Sequence, residues 1–427
     1  MGNQRKRNGS NAARVSDRPT GRDRAGATTG GQGNARTRAG IVVHSNAPFA
    51  NTGYGVQAGA FAKACKEDGR SIVFSCNYGI QGGVTAWEGI EVLPTGYHPY
   101  SSDVLGAHTE HARQTTGLPT ALLTLFDCWV YKGAKVDDIP LIASWAPVDH
   151  VPTPPDVLDW CQRDNVLPIA MSKFGLDQLT RAGVDARYAP HGVDTETFRP
   201  DATVDGRTGR QLLDVAEDKF IVGIVAANKG VAPLRKAWGE NLLALSEFMA
   251  RHENVVAYFH TEKRGAGGGI DLAKLAESAG IPADRIVWVD QWAYYAGLGP
   301  DVLATLMASF DVNLICSRGE GFGVPVIEAA ACGVPSIVSN FTAQPELVEG
   351  FGYLASVQPY WDPQQSAWFC TPLVHSIVEQ LEDAYTSAQD PHRRSAARAH
   401  ALTYDHRTVF AEYWQPILAE IDQRLAP

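Results

Sequence analysis

At 427 residues, with 44% hydrophobic and 20% charged residues, the chain has the composition of an ordinary soluble globular protein and room for two or three domains. The net charge of −10 is uneven: residues 1–38 hold nine Lys or Arg against two Asp, so the body carries −17, which argues against broad nucleic-acid binding by that body. No stretch nears the roughly 18 apolar residues of a membrane span, and the polar, basic start lacks the apolar core of a signal peptide.

Seven scattered cysteines without a CxxC pair predict reduced thiols, not disulfides or zinc ligands. These features together predict a cytoplasmic protein, with peripheral membrane association left open. Residues 1–38 are rich in Gly, Ser, Thr, Asn and Arg and poor in large apolar residues. They predict a disordered basic tail, with tethering to an anionic partner as the functional alternative.

The first predicted strand is "GIVVHS", from Gly40. The loop "NAPFANTGYG" follows, then a helix over "VQAGAFAKACKEDG" with a glycine stop. "SIVFSC", "TALLTLF", "PLIASWAP" and "VLPIAMS" are further strands, "KFGLDQLTRAG" a helix, and "ARYAPHGVD" a strand and turn. After "TFRPDATVDGRTGRQLLD" the alternation restarts with the strands "FIVGIVAAN", "VVAYFHT", "RIVWVD", "VNLICS" and "PSIVSN". Between them lie the helical patterns "ENLLALSEFMARH", "GIDLAKLAESAG", "PDVLATLMASF" and "VPVIEAAACG". "RTVFAEYWQPILAEIDQRL" reads as one long amphipathic helix. The pattern predicts an α/β protein with two Rossmann-like parallel-sheet domains. The expected boundaries are 39–200, 201–400 and a terminal helix over 401–427 that packs back on the first domain.

Ligands of open α/β sheets bind beyond the carboxyl ends of the strands. The residues expected there are Ser45–Gly55, Asp127, Asp149 and His150, Ser172, His191, Asn228–Lys236, His260–Glu262, Asp290–Trp292 and Ser317–Gly323. Among them "GEGFGVPVIEAAACGVP" holds Glu320 in a glycine-rich turn and Glu328 in the helix that follows. Carboxylates so placed can accept hydrogen bonds from sugar or ribose hydroxyls. The N–H groups entering the helix suit an anion. As structural features alone, Glu320 would shield the turn and Glu328 would be a helix-surface charge.

"SRGEGFGVPVIEAAACGVPSIVSN" resembles the C-terminal signature of the retaining GT-B glycosyltransferases of family GT4, the glycosyl transferases group 1. "HGVDTETFRP" resembles that family's interdomain segment, "IVGIVAANKG" with "RKAW" its phosphate-binding segment, and "PELV" its later acidic stretch. The resemblance covers about residues 40–420 and implies a GT-B fold, with two domains facing across a cleft. It implies transfer of a sugar from a nucleotide-diphosphate sugar to an acceptor hydroxyl, with retention and no covalent intermediate. It also implies no cofactor and no metal, in keeping with the lack of a D-x-D motif. Residue by residue, Glu328 is expected to bind the donor's ribose and Glu320 the donor sugar. Gly321, Phe322 and Gly323 form the donor-binding turn. Gly55 stands in the glycine-rich acceptor-side loop, on the donor's other wall, and His150 near the reacting carbon. The family places Arg and then Lys after the first strand of the second half. Here Asn228 stands near the Arg position and a longer loop follows, so Arg235 and Lys236 are expected at the diphosphate, with Lys229 in reserve.

The alternatives are a GT-B-like sugar-nucleotide epimerase or phosphorylase and a non-catalytic sugar-nucleotide-binding protein. An NAD-dependent oxidoreductase fits poorly. "NAPFAN" separates Gly53 and Gly55 from the strand end, and "SIVFSCN" lacks the expected acidic residue. The base, the sugar and the acceptor are not legible. The acceptor could be a glycan, a lipid-linked glycan, a protein, a small molecule or modified DNA.

Overall fold

The computed structural model describes residues 38–79, 81–230, 234–388 and 390–426. The predicted tail therefore lies outside the described residues, except Arg38, whose guanidinium pairs with Asp68 at 3.1 Å.

The first sheet has eight strands in the order β3-β4-β2-β1-β5-β6-β7-β8. They are β1 Gly40–Asn46, β2 Ile72–Tyr78, β3 Thr85–Trp87, β4 Ile90–Leu93, β5 Thr120–Leu125, β6 Ile142–Ala146, β7 Val166–Ala170 and β8 Arg187–Tyr188. All neighbours are parallel except the edge pair β3 and β4. The second sheet is wholly parallel, in the order β11-β10-β9-β12-β13-β14. Its strands are β9 Phe220–Val225, β10 Val255–His260, β11 Ile286–Trp288, β12 Val312–Ile315, β13 Ser336–Ser339 and β14 Tyr353–Ala355. Counted within the half, that order is the doubly wound 3-2-1-4-5-6. The central strands β1, β5, β9 and β12 are buried almost throughout, as strands covered by helices on both faces must be.

Each sheet reverses its winding at one place: between β1 and β5 in the first, between β9 and β12 in the second. Loops leaving the two strands part there and open a crevice. The chain passes between the halves at Pro190–Phe198 and returns near Tyr404. A parallel bridge joins Val193 to Asp405, and the Thr195 hydroxyl donates to Asp405 Oδ2 at 2.6 Å.

The long helix expected at the end is helical but not uniform. It runs as His406–Val409, a wide π turn at Phe410–Trp414, and Gln415–Arg424. Trp414 packs on Phe61 and Trp145, with ring centroids 4.5 and 4.8 Å apart. Arg70 donates to both oxygens of Asp422 at 2.8 Å, and Arg187 holds Glu420 at 2.7 and 2.9 Å. The end of the chain thus lies on the first domain.

Several elements carry no expectation from the pattern, among them one helix and one hairpin. The polar segment Leu105–Thr116 is a helix against β1 and β5. Residues Val357–Asp362 and Ala367–Pro372 form an antiparallel hairpin, β15 and β16, outside both large sheets. That hairpin reaches the first domain: Trp368 and Val151 exchange backbone hydrogen bonds at 2.8 and 3.1 Å.

Candidate functional site

Glu320 sits in the turn between β12 and the helix Val324–Ala331, at the switch point of the second sheet. The turn is held open by Thr342, whose hydroxyl accepts from Glu320 N–H at 3.0 Å. The loop after β9 delivers two cations to the same place. Arg235 Nη1 lies 2.6 Å from Glu320 Oε2, and Lys236 Nζ lies 2.5 Å from Oε1. Glu320 is buried, whereas the Arg235 side chain is 42% exposed and reaches solvent. Burial pushes the Glu320 carboxyl up, but Arg235 and Lys236 together outweigh it and hold it at about 2. The carboxylate in turn raises Arg235, while burial lowers Lys236.

The first sheet supplies the facing wall. Tyr54, in the helix Gly53–Glu67 after β1, donates its hydroxyl to Asp127 Oδ1 at 3.3 Å. Asp127 lies just past β5, and Asp149 follows β6. Burial, reinforced by the nearby Asp149 charge, pushes the Asp127 carboxyl up to about 6. Burial acts on Asp149 in the same direction, but the hydrogen bond from His150 reverses it and leaves Asp149 below the usual range. Two neighbouring carboxylates are thereby driven apart in affinity for a proton, a pattern suited to separate roles in one site.

His150 is at the junction of the halves but not in open space. Its Nδ1 lies 2.6 Å from Asp149 Oδ1 and its Nε2 3.3 Å from Asp362 Oδ2 of the hairpin. Its ring stacks on Phe369 at 3.6 Å, and only 3% of the residue is exposed. His150 thus lies against Asp149 and the hairpin, and Asp149 feels the charges of His150, Arg235 and Glu320. Asp362 and Phe369 have no counterpart in the sequence expectations, because a hairpin's docking partner has no local signature.

The glycines divide by role. A Cβ on Gly321 would stand 2.7 Å from Pro147 Cβ, and one on Gly319 would collide with the Asp149 carbonyl. These two are needed for close approach of the two domains. Gly323 has φ +124°, which a side chain would strain, and ends the turn at the helix start. Phe322 is buried, edge-on to His191 at 5.2 Å and Tyr404 at 5.7 Å, and so packs the domain junction. Gly55 is buried, and its N–H donates to the Thr52 hydroxyl at 3.0 Å, so that donor is already satisfied. A Cβ there would press on the Ala50 and Ala47 carbonyls.

Glu328 is half-buried on the helix after the turn, with no side-chain hydrogen bond among the described residues. Burial pushes its carboxyl up to about 7. Asn228 is buried and structural: its amide donates to the Glu262 and Ile270 carbonyls at 2.9 and 2.7 Å. Lys229 is exposed, with its ammonium 6.0 Å from the Tyr78 ring of the first domain, and does not join Glu320's cations. Glu346 of "PELV" reaches the other half, where its two oxygens accept from the N–H groups of Lys173 and Phe174 at 3.0 and 3.1 Å. That caps the helix Lys173–Arg181 with a carboxylate, the favourable sign at a helix start.

Residues 220–367 match the family described as Glycosyl transferases group 1. Over 182 residues the chain is 28% identical to D-inositol 3-phosphate glycosyltransferase of Corynebacterium jeikeium, covering 41% of this chain and 40% of that protein. The chain spans two fifths or less of the length of the curated relatives it matches first. Its backbone superposes on a glycosyltransferase of Rickettsia africae with a TM-score of 0.65, at 14% identity, over 90% of this chain and 98% of that one. It superposes on HepE of Anabaena, solved in complex with UDP and glucose, with a TM-score of 0.61, at 18% identity, over 89% and 100%. The architecture is GT-B.

Proposed function

We propose, from a GT-B chain whose second half carries a group 1 glycosyltransferase domain, that this protein moves a sugar from a nucleotide-diphosphate sugar to an acceptor hydroxyl. The observation that carries the reading is the pair Arg235 and Lys236, held on Glu320 where the switch points of two sheets meet. Two cations gathered on one carboxylate at a ligand crevice suit a diphosphate, which would take over the role Glu320 plays in the free protein. HepE, with the same fold, holds UDP and glucose.

In this reading the bond from the anomeric carbon to the diphosphate breaks through an oxocarbenium-like state. Negative charge grows on the leaving phosphate, where Arg235 and Lys236 stabilise it. Glu320, released from its cations, accepts from a hydroxyl of the donor sugar. Glu328, half-buried and without a side-chain hydrogen bond among the described residues, accepts from the ribose. The main chain of Gly321–Gly323 lines the sugar. Gly55 shapes the turn opposite, by allowing its helix to start close to Ala47. His150, fixed between Asp149 and Asp362, holds Asp149 beside the reacting centre. The close approach of Pro147 to Gly321 excludes water that would hydrolyse the donor. By resemblance to the family, the anomeric configuration is retained and no metal is required, so a chelator is expected to leave turnover unchanged.

The test is a thermal-shift screen of the full chain against UDP-, GDP- and ADP-sugars, followed by release of sugar from the donor that binds. A true donor at 100 times its Kd is expected to add about 2.7 kcal/mol of stability. Failure of every nucleotide sugar to stabilise the protein overturns the reading. Binding without release of sugar leaves only a sugar-nucleotide-binding protein.

A further inference from the structure

Beyond the donor crevice, the first domain presents a line of aromatic rings with no assigned task. Tyr54 packs on Phe126 at 5.3 Å, Phe126 on Tyr100 at 5.4 Å, and Tyr100 edge-on to Trp129 at 5.5 Å. The inner end is Tyr54, bonded to Asp127 at the switch point. At the outer end Tyr100 and Trp129 are each 38% exposed.

The exposed tyrosine is held there at a cost. Tyr100 and Ser101 have φ +62° and +53°, the left-handed region that non-glycine residues avoid. A strained pair of this kind persists only where its surroundings over-determine it, and here they do. Asp103 accepts from the N–H groups of Tyr97 and His98 at 3.0 and 3.2 Å, and Ser101 Oγ accepts from Gly96 N–H at 3.0 Å. From below, His44 Nε2 lies 3.1 Å from the Tyr100 carbonyl, His44 Nδ1 3.0 Å from Ser75 Oγ, and Ser75 Oγ 2.9 Å from His108 Nδ1. Burial holds His44 and His108 each near 4, so both rings are neutral at pH 7. Each then carries one N–H, and the bonds run in one direction: His108 donates to Ser75, Ser75 to His44, and His44 to Tyr100. The buried His44 and Ser75, backed by the half-buried His108, thus fix the backbone beneath a half-exposed aromatic side chain.

We infer that Phe126, Tyr100 and Trp129 form a carbohydrate-stacking shelf ending at Asp127, and that the acceptor of the proposed transfer is a pyranose-containing molecule lying on it. The acceptor role rests on the glycosyltransferase reading; the shelf does not. A pyranose has an apolar face of C–H groups and a polar rim of hydroxyls. Aromatic rings match the face, as they match other flat apolar surfaces. A carboxylate matches the rim, because it only accepts and hydroxyls donate. Asp127 has one such donor, Tyr54, and an acceptor hydroxyl would provide another. The line also leads from solvent to the wall that faces Arg235 and Glu320. The carboxylates Asp127 and Asp149 at its inner end disfavour a phosphate or an anionic headgroup there.

Saturation-transfer NMR on the full chain tests this, with methyl α-pyranosides of mannose, glucose and galactose as probes and octanol as the apolar control. Saturation is expected on the ring protons of at least one pyranoside. Tyr100→Ala and Trp129→Ala are expected to weaken that binding about tenfold, the loss of one good stacking contact. Tyr100→Phe and Trp129→Phe keep a ring and are expected to stay within about twofold. If an alanine variant melts early, Trp129→Leu, which keeps apolar bulk without a π face, replaces it and is expected to show the same loss. No pyranoside saturated, equal binding in all variants, or saturation of octanol alone would each overturn the shelf. A UDP, GDP and ADP thermal-shift series on the same wild-type sample separates the two readings. Nucleotide binding without pyranoside binding sinks the shelf alone. Pyranoside binding without nucleotide binding leaves the shelf as a carbohydrate site and removes its role as acceptor site.

Discussion

At the end of β5 the first crevice presents Asp127, with Asp149 one strand over and Tyr54 between the loops. At the end of β9 the second presents Arg235 and Lys236 around Glu320. Both crevices arise in the same way, where a doubly wound sheet reverses direction. Strand order therefore places a ligand in each but does not say which. The loops decide that. One wall collects carboxylates and aromatic rings, which suit hydroxyl groups and sugar faces. The other collects cations, which suit phosphate. The contrast also separates two ways of handling a buried charge. Glu320 is neutralised by partners and stays ionised. At Asp127 burial and Asp149 outweigh the charge of Arg235, and at Glu328 burial acts alone, so both are driven toward the neutral form.

The strongest way to break this comparison is to remove the cations. Arg235→Ala or Lys236→Ala is expected to lower turnover roughly 10²–10³-fold, about 3–4 kcal/mol, as loss of a charge-stabilising donor does. Intact nucleotide-sugar affinity, measured by calorimetry, should fall by less, because charge on the phosphate grows between the bound donor and the transition state. Equal losses in both quantities would make the pair a ground-state anchor only.

Removing the carboxylate instead tests the pairing. Glu320→Gln strands two cations and is expected to cost about 2–3 kcal/mol in urea unfolding, less than a fully buried pair because Arg235 reaches solvent. Since the folded carboxyl is depressed, its contribution is complete above the ordinary value of 4.5 and is lost as pH falls toward about 2. A saturating nucleoside diphosphate should restore part of the loss in the variant. An unchanged melting point in Glu320→Gln would show that the ion pairs contribute nothing.

Glu328 should behave in the opposite sense. Its carboxyl is raised, so the stability of the neutral form is complete below 4.5 and lost as pH rises through about 7. Glu328→Gln is therefore expected to be more stable than the natural protein by about 1 kcal/mol at pH 8, a figure reduced for partial exposure, with the gap closing near pH 4.5. The same change is expected to weaken nucleotide binding by about 1.5–3 kcal/mol, the range for a hydrogen bond to a charged group. A variant that gains stability and keeps full affinity would remove Glu328 from the binding site.

The smallest effect belongs to one of the contacts that join the halves. Glu346→Gln is expected to cost about 1 kcal/mol, since the amide keeps one acceptor but loses the charge at the start of helix Lys173–Arg181. Its sharper readout is small-angle scattering: a more open average shape in the variant would show that Glu346 holds the two domains together.

Much of this was legible along the chain, and the limits are physical. The strands β1, β5, β9 and β12 announce themselves because a strand buried on both faces must be a short apolar run. The order of those runs, broken by helices, is enough for two parallel sheets, and strand ends then name Asp127, Asp149, Arg235 and Glu320 as candidates. The polar helix Leu105–Thr116 was not legible, because its burial depends on the sheet beneath it and its own apolar stripe is thin. The hairpin Val357–Pro372 was missed because nothing within it specifies docking on Val151.

What the sequence determined by itself is local: which segments are apolar at which period, which turns need glycine, and which charges stand just past a strand. Only the tertiary structure decided which of those charges meet. Lys229, Arg235 and Lys236 are equivalent as residue types near one strand end, yet among the described residues only the last two reach Glu320, whereas Lys229 lies toward Tyr78. His150 likewise follows its strand as expected, but a hairpin more than 200 residues later closes over it. Pairing of charges and exclusion of water depend on distances through space, and no periodicity along a chain encodes those.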